Sequence, residues 1–594
     1  MTRTPLRPLA RILPARETGE NPDAIERENI RLRHEAMRQT SRLRAEGRLL
    51  VLSVVFLSLF SVVGARMAML SFSEAQEPRA TVSGSMITSQ RADIVDRRGR
   101  ILATNLETYS LYAQPHHMID KAHVARELVK VFPDLDEEKL FKRFSGNRKF
   151  MWIKKKLSPE QKQAVHDIGD PGLMFGPREM RLYPNGHLAA HVLGGASFRK
   201  EDVRAAELAG VAGVERHFND VLRDPANGDK ALTLSLDLTV QAAAERVLYG
   251  GMKLMNAKGA AAVLMDAHTG EVISLVSLPD FDPNDRPRPP TEGNASDSPL
   301  FNRAVQGVYE LGSTFKIFTA AQAMDLGLAN PETMIDTKGP LRWGKFRIRD
   351  FHNYGSELSL TKVIVKSSNI GTARLAQQIG VARQQEFLGN LGFLEATPLE
   401  LVEASGGTPL LPPNWSELSA MTISYGHGLS SSPLHLAAGY AAIANGGKAI
   451  KPTLLKRNAP QNGPRVMSEA ASRAARKMLR QVVTDGTASF GEVPGYAVGG
   501  KTGTADKPKE QGGGYYDEKV IATFASIFPA HDPKYVLVVT LDEPVETSGP
   551  EPRRTAGWTA VPVAAEMIRR VAPLLGLRPE IEPASLADIT LTSN

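Results

Sequence analysis

An apolar segment near the N-terminus constrains the fold more than any other feature of the sequence. Residues 49–65 read LLVLSVVFLSLFSVVGA without a charged side chain, and after Arg66 the apolar character continues to Leu70. A helix of this length, or of about 22 residues if Arg66 extends its charge toward the interface, can span the hydrocarbon core of a bilayer. The sequence therefore predicts a membrane helix over residues 49–70.

The arginines predict which side of the membrane each part of the chain occupies. Eleven of them precede the apolar segment, whereas residues 71–90 contain only Arg79. Because basic residues favour the cytoplasmic side, we expect residues 1–48 to form a cytoplasmic tail and the chain beyond the helix to lie outside. A cleavable signal peptide, with SEA at 73–75 as a loose cleavage site, is the competing interpretation. The polar region of 48 residues is far longer than that of a signal peptide, which favours an uncleaved anchor.

The composition excludes several kinds of chemistry. Among its 594 residues the chain has no cysteine, which rules out disulfides, thiol catalysis and cysteine-based zinc sites. Its 13 histidines show no HExxH-like pairing, so we expect no metal site and no cofactor. The net charge of +7 suits an anionic membrane or an acidic polymer. No basic run is interleaved with aromatic residues, and we expect no nucleic-acid binding.

Changes in pattern along the chain predict its domains. RADIVDRRGRILA at 91–103 predicts a β-hairpin that turns at Gly99, and helical stretches are expected at 122–132 and 159–168. From Lys230, LTLSLDLTVQAAAERVL predicts a strand and then a helix. The predicted parts are a cytoplasmic tail (1–48), a membrane helix (49–70), a pedestal (71–230) that begins with a spacer at 71–90, a large α/β domain (231–575) and a loose C-terminal tail (576–594).

The pattern Ser-x-x-Lys occurs three times, starting at Ser197, Ser313 and Ser359. Residues three apart lie on the same face of a helix, and a serine hydroxyl needs a base that a desolvated lysine can supply. Lys316 would then touch Ser313. A solvated serine and lysine on a helix surface give the same pattern, so one copy alone does not identify a catalytic pair.

Two further polar groups distinguish the copies. Ser367-Ser368-Asn369 is expected on a loop between helices, and Lys501-Thr502-Gly503-Thr504 precedes strand-like residues 520–528 and 535–541. Such a strand edge can bind a carboxylate and supply an oxyanion-hole N–H. Ser359 is only eight residues before Ser367, and Ser197 falls in the predicted pedestal. Only Ser313 is followed by a predicted helix and then by enough residues to reach the second polar group.

In this order, Ser-x-x-Lys, Ser-x-Asn and Lys-Thr-Gly resemble the motifs of penicillin-binding proteins and serine β-lactamases. RADIVDRRGRILA and GVAGVERHFNDVL are similar to stretches of the membrane-proximal region of class B penicillin-binding proteins. Residues 309–316, the Ser-Ser-Asn form and the run 415–429 most resemble the division-specific transpeptidases of the FtsI family. At His427 that family often has an aromatic residue, and we assign this histidine no role. The resemblance covers roughly residues 49–570.

The resemblance implies an α+β fold and a peptidoglycan D,D-transpeptidase of septal cell-wall synthesis. Ser313, activated by neutral Lys316, would attack a D-alanyl-D-alanine stem peptide, release D-alanine and form an acyl-enzyme that a neighbouring stem's amine resolves. β-Lactams would acylate the same serine. A polytopic glycan polymerase of the FtsW type and other division proteins would be partners. The implied roles are an oxyanion hole from the N–H groups of Ser313 and Thr504, proton relay and peptide binding by Ser367 and Asn369, and substrate binding by Ser368, Lys501, Thr502, Gly503 and Thr504.

Four other functions each fit part of the sequence. Residues 495–502 satisfy the P-loop pattern, but no strand precedes them and ADKPKEQGGG at 505–514 is a poor helix. A β-lactamase could use Glu386 and Asn390 for deacylation, but these are expected at the surface of a largely helical stretch. A β-lactam sensor needs a signalling domain, for which 48 residues are too few. Elongation-specific relatives more often have Cys-Asp where this chain has Ser-Asn, which leaves them as the alternative within class B.

Overall fold

A computed structural model of the chain describes residues 14, 17–19, 21–72, 91–201, 206–227, 230–509 and 513–580. It contains two compact units, residues 1–85 and residues 86–594. Residues 73–90 of the predicted spacer lie outside the described residues. The same is true of residues 581–594 of the predicted C-terminal tail.

A single long helix, α1 (Pro22–Phe72), dominates the first unit. Among the described residues it is the one helix that is long and apolar enough to cross a membrane, and its apolar part is not buried against other residues. A helix over residues 49–70 is therefore confirmed. The helix also includes most of the predicted tail, where ion pairs one turn apart, such as Arg42 with Glu46 at 2.7 Å, favour helix formation.

The second unit combines two five-stranded sheets, three two-stranded sheets and helices in its described part. Its strands are β1 (Ile94–Val95), β2 (Ile101–Ala113), β3 (Met151–Leu157), β4 (Leu173–Leu182), β5 (Gly195–Glu201), β6 (Ala206–Ala212), β7 (Leu232–Thr233), β8 (Gly259–Asp266), β9 (Val272–Leu278), β10 (Met334–Asp336), β11 (Leu341–Trp343), β12 (Phe346–Ile348), β13 (Glu357–Ser359), β14 (Gly499–Pro508), β15 (Tyr515–Phe528) and β16 (Tyr535–Asp542). Its α-helices are α2 (Lys121–Val131), α3 (Glu137–Ser145), α4 (Pro159–Ile168), α5 (Ala190–Leu193), α6 (Gly213–His217), α7 (Asn219–Arg223), α8 (Leu238–Leu254), α9 (Lys316–Asp325), α10 (Leu360–Lys366), α11 (Asn369–Ile379), α12 (Val381–Asn390), α13 (Glu417–Ser424), α14 (Pro433–Ala444), α15 (Glu469–Asp485) and α16 (Ala560–Leu574).

The first five-stranded sheet contains the predicted hairpin. Strands β1 and β2 pair antiparallel around Gly99, whose φ of 82° suits a tight turn, so this prediction is confirmed. The strand predicted after Lys230 is only β7, which pairs parallel with β1 and does not belong to the large sheet. Helices α2 and α4 confirm the helical stretches predicted near 122–132 and 159–168. With α3 and the sheet they enclose a small separate core that includes Leu128 and Phe144.

A buried ion network joins the hairpin to the segment around α6. Glu215 at α6 binds Arg91 at 2.6 Å and Arg181 at 2.7 Å, and all three side chains are at most 1% exposed. The hydroxyl of Tyr183 donates to the same carboxylate at 3.2 Å. Burial is the main influence that lowers the pKa of Arg91. Since buried charges are costly unless they are paired, these residues depend on one another.

The second five-stranded sheet has the order β14-β15-β16-β8-β9 and is antiparallel throughout. Strands β8 and β9 form a hairpin around Thr269 and Gly270, and β15 and β16 include the strands predicted at 520–528 and 535–541. Residues of β9 are buried on both sides, because helices cover the two faces of the sheet. Strand β14 lies at the edge, where one side of its backbone is free for another partner.

One continuous core includes Ile94, Leu102 and Val214 together with Leu264 and Val538 of the large sheet. The residues that precede position 230 therefore pack partly into the same core as the large sheet. The expected mixed α+β fold is confirmed, whereas the domain boundary at residue 230 stays a prediction.

Candidate active site

Ser313 lies on a tight turn in front of α9. Residues Gly312–Phe315 form this 3-10 turn, and α9, the helix predicted behind Ser313, follows from Lys316. Gly312 has a φ of 55°, and a Cβ there would lie 2.8 Å from the carbonyl oxygen of Thr504. Glycine thus permits both the left-handed turn and the close approach to β14. Ser313 itself is half-buried at this junction.

Lys316 follows at the first position of α9, and its amine is completely buried. The Nζ atom donates to the carbonyl oxygen of Ser367 at 2.5 Å and to its Oγ at 3.0 Å. Burial, and secondly the nearby Lys501, hold the pKa of Lys316 well below its usual value. A lysine with a lowered pKa is neutral for more of the time near neutral pH and can act as a base.

The hydrogen bonds of Lys316 differ from those expected. Direct contact between its amine and the Ser313 hydroxyl was predicted, but the described residues form no hydrogen bond to Ser313 Oγ, and the amine binds Ser367. Ser367 has a φ of 64° between α10 and α11, which turns both its carbonyl and its hydroxyl toward the amine. This left-handed residue has no local signature in the sequence.

Lys501 completes a chain of polar groups under the nucleophile turn. It lies on β14, and its buried Nζ donates to Ser367 Oγ at 3.0 Å. Burial lowers the pKa of Lys501 to about 7. Ser367 Oγ thus lies between two buried amines that both favour the neutral form, an arrangement suited to proton transfer.

The rest of the second motif is held by Asp350, a residue that the sequence analysis missed. Its carboxylate accepts from the N–H groups of Asn369 at 2.6 Å and Ile370 at 3.0 Å, and from Ser368 Oγ at 2.7 Å. Ser368 is buried and also caps α11, so its hydroxyl is engaged in local structure. Its predicted contact with substrate stays a prediction. A loop, strand β13 and helix α10 separate Asp350 from the motif, and no spacing rule connects them.

The third motif occupies the edge strand, as predicted. Gly503 lies against the nucleophile turn, because a Cβ there would be 2.2 Å from the carbonyl oxygen of Leu311. The hydroxyl of Thr502 is 2.7 Å from that of Thr487, and Thr504 Oγ1 accepts the N–H of Ala556 at 2.9 Å. Both threonines can still donate a proton to a ligand.

The other serine and lysine copies have a different structural setting. Ser197 lies on strand β5, where the helical spacing of three residues does not apply. Ser359 is the N-cap of α10 and accepts the N–H of Lys362 at 3.3 Å. Neither copy lies at the head of a helix that meets a strand edge.

The structure also shows where the residues of the P-loop and β-lactamase alternatives lie. Lys501 lies within a β-strand and does not open a helix, unlike the lysine of a P-loop. Glu386 and Asn390 are exposed on α12, which confirms their expected surface position.

Two family descriptions match the chain. Residues 260–568 match the penicillin-binding protein transpeptidase domain, and residues 86–235 match the penicillin-binding protein dimerisation domain. The first match includes all three motifs.

Curated relatives agree with these matches. The chain is 35% identical over 513 residues to the probable peptidoglycan D,D-transpeptidase FtsI of Caulobacter vibrioides, which covers 84% of each chain. It is 32% identical to the probable peptidoglycan D,D-transpeptidase PenA of Neisseria meningitidis, over 80% of this chain and 83% of the relative. The peptidoglycan D,D-transpeptidase FtsI of Escherichia coli is 29% identical over 77% of this chain and 80% of its own. The chain therefore belongs to the penicillin-binding protein transpeptidase family, and with its dimerisation domain it is a class B member of the FtsI type.

Proposed function

We propose that this protein is a peptidoglycan D,D-transpeptidase that cross-links stem peptides through an acyl-enzyme at Ser313, in septal cell-wall synthesis. The observation that carries the proposal is the buried chain Lys316–Ser367–Lys501 at the foot of the Ser313 turn. The FtsI and PenA relatives support the reaction, and the FtsI name supports the septal role. An elongation-specific role is the second candidate, and no contact in the site favours it.

The first half-reaction forms the acyl-enzyme. Neutral Lys316 accepts the hydroxyl proton of Ser313 as Oγ attacks the carbonyl carbon between the two D-alanines. The C–N bond then breaks, and the departing amine of D-alanine receives a proton through Ser367, whose hydroxyl contacts Lys316 at 3.0 Å. Because both buried amines have lowered pKa values, neither holds the proton strongly, and it can pass between them.

The backbone around the turn supplies the oxyanion hole. The N–H groups of Ser313 and Thr504 are the donors in this proposal, which the close approach of Gly312 to Thr504 supports. Loss of one such donor typically costs about 3 kcal/mol of transition-state stabilisation. In this proposal the edge-strand residues Lys501, Thr502 and Thr504 bind the terminal carboxylate of the donor peptide. Asn369, whose N–H donates to Asp350 and whose Nδ2 donates to the carbonyl oxygen of Arg349, binds the peptide backbone in this proposal.

Labelling with a fluorescent penicillin tests the nucleophile. We expect the wild-type chain to form a stable covalent adduct and Ser313→Ala to form none, because this substitution removes the attacking hydroxyl. Ser197→Ala and Ser359→Ala are matched controls from the two other Ser-x-x-Lys copies, and both should label like the wild type. Persistent labelling of Ser313→Ala would contradict the assignment, and rapid turnover of the adduct would indicate a β-lactamase.

The protein acts at a membrane in this proposal, with α1 as an uncleaved anchor in the inner membrane. The excess of arginine before residue 49 supports a cytoplasmic N-terminus and an external catalytic domain. Protease added outside intact spheroplasts should digest the catalytic domain and spare an N-terminal epitope tag. Protection of the catalytic domain would reverse the orientation.

The partners include a polytopic glycan polymerase of the FtsW type, because a transpeptidase needs nascent glycan strands that carry stem peptides. The pedestal (71–230) then carries the catalytic domain (231–575) away from the membrane. Co-purification of the full chain with that polymerase from detergent-solubilised membranes tests the partnership. Recovery of the chain without the polymerase after in-membrane cross-linking would count against it.

A further inference from the structure

A buried carboxylate lies beside the nucleophile turn and has no role in the acylation step. Glu310 is 7% exposed and lies three residues before Ser313. Its carboxylate accepts the N–H of Gly428 at 2.7 Å and the hydroxyl of Tyr515 at 3.0 Å. No lysine or arginine of the described chain forms an ion pair with it. A buried carboxylate without a counter-ion favours the approach of a cation.

The segment that contains His427 runs directly alongside the nucleophile segment. Tyr309 and Ser431 exchange both backbone hydrogen bonds at 3.0 and 2.9 Å, and the N–H of Gly312 donates to Gly426 at 3.2 Å. A Cβ on Gly426 would lie 1.8 Å from the carbonyl oxygen of Gly312, so the two backbones are in contact. His427 follows this contact and therefore lies next to the turn that holds Ser313.

The imidazole of His427 has a ring nitrogen without a hydrogen-bond partner. Its Nδ1 atom is buried and has no hydrogen-bond partner among the residues that the structure describes. Burial is the main influence that lowers the pKa of His427; Lys316 acts in the same direction, whereas Glu310 opposes it. This lowered pKa favours the neutral form of the ring, which can accept a proton. The titratable groups around it are Glu310 on the nucleophile segment, Lys316 on α9, Asp506 on β14, Tyr515 on β15 and Tyr425 on its own segment.

The second half-reaction, in which the acceptor amine attacks the acyl-enzyme, requires a group that can accept a proton. The acceptor amine arrives as an ammonium ion, which has no lone pair and cannot attack the ester. It must lose one proton before attack, and the amine that attacks must lose another as the amide forms. Lys316 and Ser367 account for one of these two protons, which they deliver to the departing Ser313 Oγ. The other proton needs a separate base.

We propose that His427 is the catalytic base that deprotonates the acceptor amine, and that Glu310 holds the ammonium ion beside it. The ammonium proton passes to the imidazole and later to water. The freed amine forms the new C–N bond, the C–O bond to Ser313 breaks, and the second amine proton reaches Oγ through Lys316. The inference rests on the proposed role of Ser313, but it concerns the acceptor step alone.

The test separates the two steps in the full chain in detergent. The donor is an N-acyl-D-alanyl thioester, and the acceptor is D-alanine. Attack by D-alanine gives the dipeptide product, whereas attack by water gives the free acid. We expect His427→Gln to reduce the ratio of aminolysis to hydrolysis by about 10- to 100-fold. Its acylation rate with fluorescent penicillin should stay within about twofold of wild type, since general-base help to the acceptor does not enter that step.

Two further variants make the assignment specific. His352→Gln changes an exposed histidine near the second motif and should leave the product ratio unchanged. Glu310→Gln should raise the KM for D-alanine more than it lowers kcat, because it weakens binding of the ammonium ion. In the wild type the ratio should stay level above the lowered pKa of His427 and fall below it, whereas in His427→Gln it should fall continuously as the pH drops, because only the free amine can then attack.

The outcomes distinguish this inference from the proposed function. An unchanged product ratio in His427→Gln, or a parallel loss of penicillin acylation that marks a structural role, would overturn the role of His427. Failure of the wild type to react with penicillin or thioester would instead overturn the proposed function.

Discussion

Lys316→Met is expected to reduce the second-order rate of acylation by a penicillin by about 10³-fold or more. Methionine keeps most of the buried side-chain volume but removes the amine that contacts Ser367. The hydroxyl of Ser313 then has no base to take its proton, and the relay toward Lys501 is broken. Stopped-flow measurement of fluorescent penicillin binding to the full chain checks this effect.

Lys362→Met is the matched control for this variant. It makes the same substitution in the copy of the pattern in which Ser359 only caps a helix, and Lys362 is exposed. We expect an acylation rate within about twofold of wild type, since exposed substitutions rarely perturb a protein by more than about 0.5 kcal/mol. Equal losses in the two variants would mean that the effect of Lys316→Met is not catalytic.

The pH profile follows from the same lysine. Burial lowers the pKa of Lys316, and the base must be neutral to act. The acylation rate should therefore rise with pH through this lowered pKa and then level off well below pH 10. A rate that keeps rising in the range of an ordinary lysine would show that the amine is not desolvated in solution.

Glu215→Gln is expected to destabilise the protein by about 3–5 kcal/mol, because it leaves two buried arginines without a counter-charge. Glutamine has nearly the same volume, so the loss comes from charge and not from a cavity. The guanidinium groups of Arg91 and Arg181 would remain in a site where they are at most 1% exposed. Chemical denaturation of the full chain in detergent, followed by circular dichroism, measures the change in the free energy of unfolding.

Glu469→Gln is the matched control for stability. Glu469 pairs with Arg473 one turn away at 2.9 Å, and both side chains are more than half exposed. Exposed pairs of this kind contribute about 0.3–0.5 kcal/mol. A cost below about 1 kcal/mol for Glu215→Gln, close to that of the control, would contradict the role of the buried network.

The sequence predicted the parts of the site that depend on local patterns. A predicted helix behind the Ser-x-x-Lys pattern and the spacing to the second group located Ser313 and Lys316. Ser367 was expected on a loop between helices, and the third motif was expected at a strand edge. The relatives and the family matches support the class of enzyme that this order of motifs suggested.

Contacts between distant segments could not be predicted in the same way. Asp350 anchors the second motif through backbone N–H groups, and Glu215 joins arginines that are far apart in sequence. The hydrogen bond of Lys316 depends on the left-handed conformation of Ser367, which only the packing of α10 and α11 determines. The strand expected after Lys230 is only two residues long, because its pairing with β1 ends at Thr233.

The most direct test of the central claim locates the covalent adduct by mass spectrometry. The full chain is incubated with a penicillin, digested with trypsin and sequenced by tandem fragmentation. Cleavage after Arg303 and Lys316 yields the peptide AVQGVYELGSTFK. The account predicts that this peptide gains the mass of the penicillin and that the fragment ions place it on Ser313. An adduct on Ser367, or on any peptide that lacks Ser313, would contradict it.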